Sequence, residues 1–221
     1  MNFKTITSPF LIVMTAMFGM TACDGSSAGA AGSAANYSPL AAGCHSDDPS
    51  QKCLALNYVT YTNSKGDAVT DQAAATRNLA TINQIWKSCG IQFQIDNYQA
   101  VDPTKFGLSK VDSMNELDQI RKAFNDGNTL LIAQTGYWGT AKNAWTAMPG
   151  SGPYGAVFES TVADFGNIVA HELGHYLNLD HVNSNSDVMS AIIYPDSNKL
   201  TPDQCQEARA AVDSFWKNMQ R

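Results

Sequence analysis

The chain has 221 residues, a formal net charge of -6, and 44% hydrophobic against 15% charged residues. That length suits one domain of ordinary size behind an export signal, and that apolar content excludes an intrinsically disordered chain. Its basic residues form no cluster, so nucleic acid is not an expected partner.

At the N-terminus, Lys4 precedes an apolar run over 10–20. The run is too short and too N-terminal for a membrane span and reads as an export signal. It ends in Met20-Thr21-Ala22-Cys23, which resembles the lipobox of bacterial lipoproteins, although Leu is usual where Met20 stands. The resemblance implies cleavage before Cys23 and a lipid anchor on that residue. The alternative is an ordinary signal peptide cut after Ala22, or near Ala28 or Ala30. Residues 24–43 are rich in Gly, Ser and Ala and read as a flexible tether. With Cys23 lipidated, Cys44, Cys53, Cys89 and Cys205 remain, an even number that suggests two disulfides in an exported protein. Three pairings are open. Proximity favours Cys44–Cys53 as a local loop, which leaves Cys89–Cys205 as a long-range staple.

A strand is expected over 54–62, with Leu54, Leu56 and Tyr58 on one face. A helix over 71–88 places Ala75, Leu79, Ile82 and Trp86 on one face, with Asp71 able to cap it. Ile91, Phe93 and Ile95 alternate, so a strand follows. A second helix is read over 113–124, with Leu117, Ile120 and Phe124 inward. The apolar run over 129–134 reads as a central strand. A Gly/Pro-rich loop over 149–155 leads to Ala156-Val157-Phe158, expected as an edge strand. A helix over 162–177 follows. The last helix opens on a capping box, Thr201 with Gln204, and has Pro202 in its first turn. The fold class is therefore mixed α/β.

Residues 171–181 read His-Glu-Leu-Gly-His-Tyr-Leu-Asn-Leu-Asp-His. His171 and His175 lie four apart, which puts both imidazoles on one helix face where they can share an ion. Glu172 projects beside that ion. His181 comes six residues after His175, so the chain must leave the helix and turn back to bring it in. Asn178 stands where the turn is needed, and Asn tolerates positive φ best after Gly. Three His ligands leave zinc one open position, where a water is activated with Glu172 as general base.

This segment resembles the metzincin clan of zinc peptidases, whose pattern is HExxHxxGxxH followed by a Met-turn. All three His and the Glu match, and Asn178 departs from Gly. The Met-turn candidate is Met189, eight residues after His181, a spacing that is similar to matrixins. The resemblance implies a metzincin-like zincin domain, a twisted mixed sheet with an active-site helix and a C-terminal helix. It also implies one catalytic Zn2+, an apolar floor at Met189 and cleavage of protein or peptide substrates. No structural-zinc or calcium-loop signature stands upstream, and calcium binding is left open. A Glu on a later helix, the third ligand of gluzincins, has only Glu207 to offer. The expected organisation is a signal over 1–22, a tether or short pro-segment over 23–53 and a peptidase domain over 54–221. The protein is expected to be a monomer, exported and either lipid-anchored or released.

Other residues divide between site and scaffold. In the clan an edge strand binds extended substrate, which makes Gly155, Ala156, Val157 and Phe158 candidates. Tyr194 follows Met189 by five residues and is read as a wall of the specificity pocket, with Ile192 and Ile193 as further lining. Trp138 and Trp145 are candidate substrate contacts, while Trp86 and Trp216 are read as core. Cys44 is read as a disulfide partner rather than a cysteine switch, and His45 as an exposed residue. Two other functions stay open: a zinc-containing surface lipoprotein that binds a protein partner without cleaving it, and a narrow cell-envelope peptide hydrolase.

Overall fold

The computed structural model describes residues 44, 48–108, 111, 113–139 and 142–221. The export signal, Cys23, the tether over 24–43 and His45 lie outside the described residues.

The first strand, β1 (Lys52–Tyr61), is buried along nearly its whole length. Such a run cannot sit at a half-exposed edge, and it pairs in parallel on both sides. One partner is β2 (Ile91–Val101), six residues longer than the alternating segment 91–95, and the other is β3 (Leu130–Gln134). Beyond β3 comes β5 (Ala156–Phe158), parallel to it, and then β4 (Ala144–Thr146), antiparallel to β5. The sheet order is β2-β1-β3-β5-β4.

This order corrects one expectation. Ala156, Val157 and Phe158 are fully buried and lie inside the sheet, and the edge on that side is β4. Three residues are too few to display a hydrophobic alternation, so the sequence does not announce β4.

Helices cover both faces. On one face, α1 (Gln72–Trp86), α3 (Gly166–Tyr176) and α4 (Pro202–Phe215) enclose the larger core, which includes Leu54, Leu56, Tyr58, Ile132 and Phe158. The opposite face packs Val59, Leu131 and Val157 against Leu117, Ile120 and Phe124 of α2 (Met114–Phe124). Asp71 caps α1 by accepting from the Ala74 N–H, and the Thr201–Gln204 capping box opens α4. Helix α3 starts at Gly166, four residues after the expected 162, because successive turns over 159–165 occupy that stretch.

Two indole N–H groups fasten α3. Trp86 of α1 donates to the Ala170 carbonyl at 3.3 Å, and Trp216 donates to the Tyr176 carbonyl at 2.7 Å. Cys44 is bonded to Cys53 at the start of β1, and Cys89 after α1 is bonded to Cys205 on α4. The second bond spans 116 residues, for which chain-entropy arguments give about 5 kcal/mol of stabilisation. Two such bonds belong to an oxidising compartment. Among the described residues no helix is long and apolar enough to cross a membrane.

Candidate active site

His171, Glu172 and His175 all stand on α3. The helix ends at Tyr176 with Leu177 as its C-cap, and Asn178 follows at φ 69°, the left-handed conformation the turn requires. The Leu179 N–H bonds back to the Gly174 carbonyl at 2.9 Å and the Asn178 N–H to the His175 carbonyl at 3.1 Å. This pair of bonds is a Schellman stop, and it reverses the chain towards the cleft. His181 returns as a result. His175 Nε2 and His181 Nε2 are 3.2 Å apart, as are His181 Nε2 and His171 Nε2.

These donors fit zinc. Ligands at ~2.05 Å from a tetrahedral ion lie about 3.3 Å from one another. Each helical histidine is also oriented from behind. The Val188 carbonyl lies 2.6 Å from His171 Nδ1, and the Leu179 carbonyl 2.8 Å from His175 Nδ1. A carbonyl can only accept, so Nδ1 carries the proton and the Nε2 lone pair faces inward. Burial, and then the neighbouring His175, pushes His171 down to about 4. Burial also lowers His175, against the pull of the Leu179 carbonyl. Both are thus neutral at physiological pH, as ligands must be. Among the described residues this trio is the group able to hold a metal. Glu207 is not part of it; its carboxylate instead accepts from Asn178.

The Glu172 carboxyl shares the cleft with the trio, a cavity of about 780 Å³. It is 6% exposed, and its Oε2 has no hydrogen-bond partner. Burial pushes its pKa up to about 7, opposed by the Thr146 hydroxyl and the Arg121 guanidinium. Met189 is fully buried and packs beneath the helix. A Cβ on Gly174 would collide with its sulfur, so any larger residue there would have to displace the buried Met189 side chain.

The remaining expected residues fall into two groups. Ile192 and Ile193 line the cleft, as do Trp145 and Thr146 of β4. Tyr194 lines an adjoining groove with Phe165 and Asn167, which shares Ile168 and Ile193 with the cleft. Trp138 is 7% exposed and turned inward, its indole donating to Thr135 and its backbone N–H to Glu159, which removes it from the substrate contacts. Gly155 is structural, at φ 149° with no room for a Cβ between Arg121 and Leu131.

Sequence reasoning did not single out Arg121. It is fully buried, donates to the Gly155 carbonyl at 2.7 Å, the Trp145 carbonyl at 3.0 Å and Asp118 at 3.0 Å, and stacks over Trp145 at 3.9 Å. It therefore ties α2 to the edge strand. Its position on the apolar face of α2, beside Leu117 and Ile120, is the only signal the sequence offers.

A mixed sheet backed by an active-site helix, with a third histidine returned by a left-handed turn over a buried methionine, defines a metzincin-like zinc peptidase. The matrixin family model matches residues 45–211, and the chain belongs to that family, whose cofactor is zinc. Among solved structures it is similar to metalloproteinase-II from Bacteroides fragilis, with 15% identity and a TM-score of 0.51. That alignment covers 76% of this chain and 55% of the other, so this chain spans little more than half of that structure. No curated protein matches.

Proposed function

We propose that this zinc metallopeptidase is an exported endopeptidase that cleaves internal peptide bonds, with His171, His175 and His181 as ligands and Glu172 as general base. The observation that carries the reading is the convergence of three Nε2 atoms in one cleft with the buried Glu172 carboxyl. Bound zinc supplies Lewis-acid polarisation of the scissile carbonyl and of the attacking water. Glu172, whose carboxyl lines the same cleft as the three histidines, accepts the proton of that water and delivers it to the leaving amine. The Val188 and Leu179 carbonyls hold two ligands in the required tautomer. Met189 sets the height of the turn beneath α3.

The substrate lies along β4. Among the described residues no strand pairs with its outer side, and an extended peptide can continue the sheet there. Ile192 and Ile193 offer an apolar wall to a side chain next to the scissile bond. The peptidase domain over 54–221 works outside the cytoplasm, carried there by the signal over 1–22 and anchored through a lipid on Cys23, with 23–53 as tether.

The test is cleavage of an unstructured protein by the full chain, with Glu172→Ala alongside and products read by mass spectrometry. Cleavage that chelator abolishes and the variant lacks supports the proposal. Stoichiometric zinc without cleavage would sink it and favour a binding protein or a narrow envelope hydrolase.

A further inference from the structure

Asn178 is the one non-glycine residue at positive φ among the described residues, and it occupies the position where the metzincin pattern has glycine. The left-handed conformation disfavours any residue with a Cβ, so the turn here is held against a local preference. The Asn178 side chain does something glycine cannot. Its Nδ2 donates to Glu207 Oε1 at 2.8 Å, reaching α4 across 29 residues of sequence.

The anchor is well fixed. Two residues before Glu207, Cys205 is bonded to Cys89, and two residues after it Arg209 donates to the Cys89 and Gly90 carbonyls. The held segment is the one that matters for the metal. Asn178 lies between the His175 carbonyl, to which its N–H bonds, and Leu179, whose carbonyl orients the His175 ring; His181 follows three residues later.

We infer that Glu207 is a positioning residue for the zinc site: through its bond to Asn178 it locks the ligand-bearing turn into the conformation that delivers Leu179 and His181. It touches neither metal nor substrate. A charge-assisted bond at an exposed site restrains the turn modestly. Its effect falls on the metal because two ligand positions depend on the same turn.

The experiment is a double-mutant cycle on the full chain, with zinc affinity read by competition against a chromophoric chelator and zinc release read as a rate. Glu207→Ala is expected to weaken zinc binding about five-fold and to speed release. Glu207→Gln keeps the accepting oxygen and is expected to stay within about two-fold of the parent. In the Asn178→Gly background, Glu207→Ala is expected to have no effect on zinc. Equal losses in both backgrounds would assign the effect to the Glu207 charge, and no loss in either would make the bond incidental; each overturns the inference. Urea unfolding of the metal-free proteins separates a lost fold from a lost ligand geometry. The inference rests on the three-histidine zinc site. A parent chain that binds no zinc would sink that reading, whereas tight parental binding without coupling sinks only this one.

Discussion

Replacing Glu172 by Gln should make the metal-free protein more stable while abolishing its activity, and the gain should depend on pH. The folded state raises this carboxyl from 4.5 to about 7, chiefly through burial. Because the unfolded chain releases its proton first, the folded state holds an extra proton between those values, and stability falls as pH rises through that window. Below pH 4.5 both states are protonated and nothing is lost. Above pH 7 the full cost of ionising a desolvated carboxyl is present. At ~1.4 kcal/mol per pH unit that cost comes to about 3 kcal/mol. Gln has nearly the same shape and never ionises, so the variant escapes it. His171 titrates in both proteins and cancels in the comparison. The assay is urea unfolding in chelator from pH 4 to 8, with the difference between variant and parent plotted against pH. It should grow by about 3 kcal/mol across the window and then level off. A flat difference would show that the carboxylate is solvated in the fold, and the argument for a base tuned by burial would fall with it.

Four further outcomes follow from the same geometry. His171, lowered from 6.5 to about 4, contributes stability that is complete above pH 6.5 and is lost as pH falls towards 4. The metal-free His171→Gln chain should lack that loss, about 3 kcal/mol, in parallel urea titrations. Zinc at a hundredfold excess over its dissociation constant should add about 2.7 kcal/mol to the unfolding free energy, and chelator should reverse it. Gly174→Ala, which forces a methyl group onto the Met189 sulfur, should cost about 1–3 kcal/mol in the same assay and weaken zinc binding. Arg121→Met leaves the Gly155 and Trp145 carbonyls without their buried donor, and should cost about 2–4 kcal/mol while raising KM more than it lowers kcat.

The three histidines and the turn that gathers them were legible in the sequence. A four-residue spacing on a helix fixes His171 and His175 on one face whatever surrounds them, and a third ligand six residues on demands a chain reversal that only a residue tolerant of positive φ permits; Asn178 takes it at 69°. Caps at Asp71 and Thr201, and the buried strands at 52–61 and 130–134, were legible for the same reason: each is decided by a few neighbouring residues. What the sequence could not decide were contacts between distant segments. Whether Ala156–Phe158 lies at an edge depends on whether another strand covers it, and that strand, Ala144–Thr146, is three residues long and acquires its identity only by pairing. Arg121 reads as an ordinary helix residue until α2 packs against β4 and buries it. The proton affinity of Glu172 likewise arises from the removal of water by groups far from it in the chain. Local sequence set the ligands, because backbone geometry is short-ranged. Burial and strand order needed the assembled fold, because desolvation and pairing are properties of neighbours that only tertiary structure supplies.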